Sequence, residues 1–160
     1  MFHTDFASFK QDSMSYQTIP VIKSFQVDTF TPIQLFKVFE DEAVYLLESK
    51  DEESSWSRYS FIGLNPFLFI EEENDRYCVR SKQRKTIYES SSLKEIFLWM
   101  DGYLKVKLPD LDIPFAGGAV GYLGYDSVTM FERVQKHDNQ DLNFKKCLLF
   151  VCHTMIAFDH

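Results

Sequence analysis

Three short apolar runs, each bordered by a strongly polar turn, constrain the fold of this chain more than any other feature. They occupy residues 66–70, 76–80 and 86–88. Runs of this length between polar turns are typical of the strands of an antiparallel meander. Together with the other apolar runs of the chain, they predict an antiparallel sheet of six or more strands.

Two further segments carry helical signals. Thr31 is a suitable N-cap residue, and Pro32 takes the first helical position, where its missing N–H costs nothing. Ser92 and Glu95 have the spacing of a capping box. Apolar residues then recur at helical spacing, namely Ile33, Phe36 and Phe39 in the first segment and Leu93, Ile96, Phe97, Met100, Tyr103 and Leu104 in the second. An antiparallel sheet covered by these two helices is an α+β fold.

The remaining segments are assigned by the same patterns. Residues 18–27 have apolar residues at alternate positions and contain Pro20, which predicts an extended segment or an edge strand. Residues 117–122 are predicted as a strand whose repeated glycines imply the close approach of another backbone or a ligand. Residues 1–17 are polar and aperiodic, which predicts a flexible N-terminal arm ahead of a single domain over residues 18–160.

The chemistry of the chain concentrates in residues 43–63. Residues 43–47 are apolar on both faces of a predicted strand, which indicates a strand covered on both sides and ending in Glu48 and Ser49. A carboxylate and a hydroxyl at the rim of a core need partners. A second strand is predicted over residues 56–63. If the two strands pair as a hairpin, it brings Trp56, Arg58 and Tyr59 to the same place, which suggests a pocket for an amino acid with an aromatic side chain.

Plainer interpretations of these residues stay open. Trp56 and Tyr59 are also suitable as core residues. Arg58 can pair with Glu48 or with one of the acidic residues 51–53, which form a solvated loop in this interpretation. Taken one at a time, none of these side chains indicates a function.

Composition narrows the class of protein. The chain has 160 residues and a net charge of −7, which argues against a nucleic-acid partner because phosphate binding needs clustered cations. Its three cysteines lack the spacing of a disulfide framework or a zinc site. Neither a signal peptide nor an apolar run long enough to span a membrane is visible. We therefore expect a soluble, cytoplasmic protein without a membrane partner.

Four stretches resemble, in order and spacing, the N-terminal region of anthranilate synthase component I, a chorismate-utilising enzyme of tryptophan biosynthesis. They are residues 46–49 (Leu-Leu-Glu-Ser), 56–63 (Trp-Ser-Arg-Tyr-Ser-Phe-Ile-Gly), the glycine-rich residues 114–126 and 158–160 (Phe-Asp-His). The resemblance covers roughly residues 18–160. It implies one part of the two-sheet β/α sandwich of that family.

The resemblance also implies a function. The whole enzyme converts chorismate and ammonia to anthranilate and pyruvate, using a glutamine amidotransferase subunit and Mg²⁺. Its N-terminal region carries the feedback site for L-tryptophan, which implies inhibitor-binding roles for Leu47, Glu48 and Ser49. Arg58, Tyr59 and Ser60 match the second motif and are expected to form pocket wall.

The chorismate and magnesium sites of the family lie in a C-terminal catalytic half. We therefore expect residues 1–160 to hold no catalytic residue and no cofactor, and to be inactive alone. The apolar surfaces of residues 1–160 that pack against that half in the family are expected to associate with each other and so to form a homo-oligomer. Two alternatives are the N-terminal region of aminodeoxychorismate synthase component I and a stand-alone amino-acid-binding module.

Overall fold

The computed structural model describes residues 4–49, 55–130 and 145–160, together with residues 132 and 134. The helices and strands, in chain order, are α1 (Phe6–Asp12), α2 (Pro32–Val38), β1 (Ala43–Leu47), β2 (Tyr59–Glu73), β3 (Arg76–Ser81), β4 (Thr86–Ser90), α3 (Leu93–Leu104), β5 (Ala119–Leu123) and β6 (Cys147–Asp159). Short 3-10 helices cover Ser55–Arg58 and Tyr125–Met130. The acidic residues 51–53 of the sequence interpretation lie outside the described residues.

The strands form one antiparallel sheet in the order β4-β3-β2-β6-β5, with β1 paired to β2. This confirms the predicted α+β fold with an antiparallel sheet of six strands. Since β6 runs along one edge of β2 from Tyr59 to Glu71, β1 and β3 share the other edge. The strand β2 therefore changes its neighbour from β1 to β3 part-way along its length.

The sequence patterns before and after Asn65 belong to one strand, β2, and not to two. Asn65 has a φ of 54° and the β2–β6 register shifts between Pro66 and Leu68. An irregularity of this kind bends a strand without ending it, because the ladder resumes on both sides. Asparagine tolerates this left-handed backbone better than most residues.

The main core lies between the sheet and α3. Leu68 and Ile70 of β2 pack there with residues of α3, the buried ones being Leu93, Ile96 and Met100. The predicted second helix is therefore confirmed, but its predicted capping box is wrong. The side chain of Ser92 makes no cap hydrogen bond. Instead, Ser90 Oγ accepts from the Ser92 amide at 3.0 Å and donates to Glu95.

The first predicted helix, α2, is also confirmed. Thr31 and Gln34 form a reciprocal capping box, and Pro32 is the first helical residue. The predicted apolar stripe is only partly correct, because Ile33 is 52% exposed while Phe36 and Phe39 are half-buried. The helix packs on β1 and β2.

Of the two forms predicted for residues 18–27, an extended segment or an edge strand, the edge strand is not formed. The part of the chain between Thr18 and Val27, all of it described, contains no assigned strand; Thr18 instead forms an isolated parallel bridge with Val106. Tertiary contacts, and not a sheet ladder, hold this region, since Lys107 N–H donates to the Thr18 carbonyl at 2.9 Å.

The sequence analysis also missed the helix α1, which Asp5 caps. The flexibility of the arm stays a prediction.

One charge is buried within the sheet. Glu71 on β2 is 2% exposed, and its carboxylate contacts Lys145 at 2.5 Å, Arg84 at 2.6 Å and Arg80 at 3.4 Å. Burial raises the pKa of Glu71, but the hydrogen bond from Lys145 and the charges of Arg84 and Arg80 outweigh it, so its pKa is lowered. The stabilisation is thus present above the ordinary glutamate pKa and is lost as pH falls through the lower native value.

The glycine-rich segment brings β5 and β6 close together. Gly117 and Gly118 have φ values of 122° and 142° and precede β5, which begins at Ala119 and not at Gly117 as predicted. A Cβ on Gly121 would overlap the Leu148 carbonyl oxygen and lie 2.8 Å from Leu149 Cα. The predicted close approach of another backbone is confirmed, and that backbone is β6.

We predict that Gly121→Ala destabilises the protein by about 1–3 kcal/mol, because two backbones must move apart to admit one methyl group. Gly102→Ala is the matched control, since a Cβ on Gly102 meets nothing within 4 Å in α3. Alanine there should stabilise the helix by about 0.5–1 kcal/mol. Urea unfolding of both variants provides the measurement, and equal effects would contradict the role of Gly121.

Candidate functional site

The β1–β2 hairpin places the two halves of the predicted pocket at one end of the sheet. Leu47 pairs with Phe61, so that Glu48 and Ser49 continue from β1 towards the start of β2. Leu47 is 37% exposed, and Glu48 and Ser49 are exposed. The predicted pairing of the two strands is confirmed, but the second strand begins at Tyr59 and not at Trp56, because residues 55–58 form a 3-10 helix. The expectation that β1 is buried on both faces is wrong, because residues 43–46 are only half-buried and Leu47 is exposed.

A third segment, the end of β6, lies beside the start of β2 at the same end of the sheet. Tyr59 pairs with Asp159 and Ser60 with Phe158. The sequence analysis used residues 158–160 only as a family motif and gave them no position near the pocket. Their proximity depends on pairing across about a hundred residues, for which no local sequence signal exists.

Among the described residues, Arg58 is bound by Asp159 and not by Glu48. The other acidic partners considered above, residues 51–53, lie outside the described part of the chain. Arg58 Nε lies 2.6 Å from Asp159 Oδ1, and Arg58 Nη2 lies 2.7 Å from Asp159 Oδ2. Such two-point contacts fix the orientation of a guanidinium as well as its position. The hydrogen bonds and charge of Asp159 raise the pKa of Arg58, and the Arg58 hydrogen bonds lower the pKa of Asp159.

Ser60 is the polar residue that the start of β2 buries. It is 1% exposed, and its Oγ lies 2.7 Å from His160 Nε2. The backbone N–H of His160 donates to the Arg58 carbonyl at 2.9 Å. The hydroxyl therefore has the partner that a buried polar group requires.

Aromatic rings line the face of β2 opposite to the face that carries Ser60. Tyr59 stacks on Phe61 with 6.0 Å between ring centroids, and Phe115 meets Phe61 edge-on at 5.5 Å. Arg58 lies over the Tyr59 ring at 5.2 Å. Trp56 falls in the 3-10 helix Ser55–Arg58, and its side chain is outside the described part of the chain.

Comparison with known proteins identifies the family. No protein-family model matches the chain. Anthranilate synthase component 1 of Bacillus subtilis (strain 168) is 48% identical over 159 residues, which cover 99% of this chain and 31% of that protein. The same enzyme of Geobacillus stearothermophilus is 41% identical over 155 residues, or 96% of this chain and 30% of that protein. The chain is homologous to the N-terminal region of anthranilate synthase component I.

The fold agrees with this assignment. A crystal structure of anthranilate synthase component I from Streptococcus pneumoniae TIGR4 matches with a TM-score of 0.50 and 22% identity, over 87% of this chain and 30% of that chain. The present chain spans about 30% of the length of the anthranilate synthase relatives. The described residues include no helix that is long and apolar enough to cross a membrane.

In this anthranilate synthase region, the contact between Tyr45 and Gly63 aligns β1 with β2. The two residues pair directly, after an irregularity between Ala43 and Tyr45. A Cβ on Gly63 would overlap the Tyr45 ring. Burial raises the pKa of Tyr45 to about 12, which reflects how far its hydroxyl is removed from water. The Tyr45 ring thus fills the space that a side chain at position 63 would need. Tyr45 lies two residues before Leu47, so this contact is close to the proposed site.

We predict that Gly63→Ala destabilises the protein by about 1–3 kcal/mol, because the Tyr45 ring must leave its place. In a Tyr45→Ala background the same change should have almost no further effect, since the obstructing ring is gone. Urea unfolding of the two single variants and the double variant gives a coupling of about 0.5–3 kcal/mol if the contact is as described. Strict additivity would contradict it.

Proposed function

We propose that this chain is the tryptophan-binding, regulatory region of an anthranilate synthase component I. One observation carries the proposal: the sheet brings residues 47–49, 58–60 and 158–160, drawn from three of the family-like stretches, to the same end. The pocket is the space beside the end of β1, with Glu48 and Ser49 at its rim. Arg58, Tyr59 and Ser60 form its wall.

The chemistry of the residues supports an amino acid with an aromatic side chain. Glu48 is exposed and suits the ligand's ammonium group, while Ser49 suits its carboxylate or the indole edge. Burial of the indole against Leu47 and the Tyr59 region contributes roughly 1.5–3 kcal/mol. Binding to residues 1–160 alone is expected to be weak, because the family site takes only part of its wall from this region.

We propose further that the whole enzyme makes anthranilate and pyruvate from chorismate and ammonia, with a glutamine amidotransferase partner. The relatives named above are both anthranilate synthases, which favours this activity over that of aminodeoxychorismate synthase. The described residues contain no group of three or more His, Cys, Asp or Glu side chains that could hold a metal ion. We assign the Mg²⁺ site of the whole enzyme to its C-terminal half, as the resemblance implies.

We predict that L-tryptophan binds to residues 1–160 and that Ser49→Phe abolishes binding by filling the pocket. The fold should survive, because Ser49 is exposed beyond the end of β1. Ser91→Phe is the matched control, since Ser91 is equally exposed but lies between β4 and α3. Calorimetric titration with L-tryptophan gives the affinities. Undiminished binding in Ser49→Phe would show that the pocket is misplaced.

We also predict that residues 1–160 release no anthranilate from chorismate and ammonium, with or without added Mg²⁺. The reason is that the family's chorismate and magnesium sites lie in its C-terminal half, whereas these residues correspond to about 30% of the length of the relatives. Anthranilate fluorescence follows the reaction directly, and a no-protein sample sets the background. Turnover clearly above that background would contradict the assignment of this region to regulation alone.

A further inference from the structure

The guanidinium of Arg58 is already engaged on the side that best recognises a carboxylate. Its Nε–H and one Nη2–H form the two-point edge that fits a carboxylate, and both donate to Asp159. Asp112 adds a second negative charge near the same guanidinium. A bound amino acid would have to displace Asp159 before its own carboxylate could take that edge.

Asp159 belongs to a set of contacts that join residues distant in the chain. Ser60 and His160 meet through their side chains, and the His160 amide donates to the Arg58 carbonyl. The side-chain pairs link residues 100 and 101 positions apart. We name Arg58, Ser60, Asp159 and His160 the clasp, because together they hold the end of β6 on the start of β2.

The clasp lies next to the proposed pocket by strand register. Tyr45 pairs with Gly63, Leu46 with Ile62 and Leu47 with Phe61. Continuing this register by one residue places Glu48 opposite Ser60. Directly opposed residues of an antiparallel pair share one face of the sheet and lie about 4.5–5.5 Å apart. A shift of Ser60 would therefore move the surface against which Glu48 rests.

We propose that the clasp positions the amino-acid pocket, and that Arg58 acts through Asp159 and not by binding the ligand carboxylate. The proposal rests on the proposed function for the identity of the ligand. In it, Arg58 and Asp159 are positioning residues: they hold the β2 start in the place where Glu48 and Ser49 can meet the ligand. The ligand carboxylate is left to Ser49 and backbone N–H groups.

A charge-swap cycle tests the proposal against direct binding by Arg58. The variants are Arg58→Gln, Asp159→Asn, the double variant, and the exchanged pair Arg58→Asp with Asp159→Arg, each titrated with L-tryptophan. For a clasp, each single variant should weaken binding by about 3- to 30-fold. The double variant should be no weaker than the worse single one, and the exchanged pair should recover part of the affinity.

Direct binding by Arg58 predicts a different pattern. Asp159→Asn would then leave affinity unchanged or increase it, because the guanidinium is freed, and the exchanged pair would bind no better than Arg58→Gln. Either result overturns the proposal. Glu89→Gln is the matched control: it breaks the Arg76–Glu89 ion pair, which is similarly exposed, joins β3 to β4, and should not affect tryptophan binding.

A ligand-free measurement separates failure of the clasp from failure of the proposed function. In Asp159→Asn, amide hydrogen exchange at Leu46 and Leu47 should speed up, while exchange at buried Val79 and Ile96 stays as in the parent chain. Faster exchange confined to residues 155–160 would mean that the clasp holds the end of β6 without positioning β1, which would overturn the proposal. If the parent chain does not bind L-tryptophan, the proposed function fails, and the exchange at Leu46 and Leu47 still decides whether the clasp positions β1.

Discussion

The pairing of β2 with β6 is the interaction on which the rest of the structure depends. It extends from Tyr59 opposite Asp159 to Glu71 opposite Leu148, with one irregularity near Pro66. Because β6 takes a whole edge of β2, the other edge is left for β1 and then β3. The strand β2 thus joins a half that packs on α3 to a half that carries the proposed site.

The two halves are stabilised by different means. The β3 half has the apolar core under α3, together with the buried carboxylate of Glu71 and its three cations. Breaking one partner of a buried charge pair is costly, so these contacts favour one arrangement of β2 and β3. The β1 half buries Phe61, Ile62 and Leu64 of β2, and the Tyr45 ring covers Gly63.

Family membership and local geometry support the regulatory proposal in different ways. Homology relates the chain to the N-terminal region of anthranilate synthase component I, whereas the sheet brings the end of β6 to the end of the sheet that carries residues 47–49. The Arg58–Asp159 pair is exposed, with 63% and 47% of the two side chains accessible, so screening by solvent limits its contribution to stability. The two-point contact fixes the orientation of both side chains while contributing little to the stability of the fold. A positioning contact needs this property.

The sequence by itself determined the features that depend on near neighbours. Polar turns between residues 66 and 88 predicted the meander, Thr31 and Pro32 predicted the start of α2, and the glycines predicted the close approach at Gly121. Each of these signals acts within a few residues, so its physical cause is visible in a short stretch of chain.

Tertiary structure decided the rest. Capping by Ser90 instead of Ser92, and the attachment of Thr18 to Val106 instead of to a sheet, both depend on where other elements end. The pairing of Arg58 with Asp159, 101 positions away, and not with Glu48 is the clearest case among the described residues. The register in which β2 pairs with β6 decides which side chains meet. Because the two strands are about a hundred residues apart in the chain, no local sequence pattern predicts that contact.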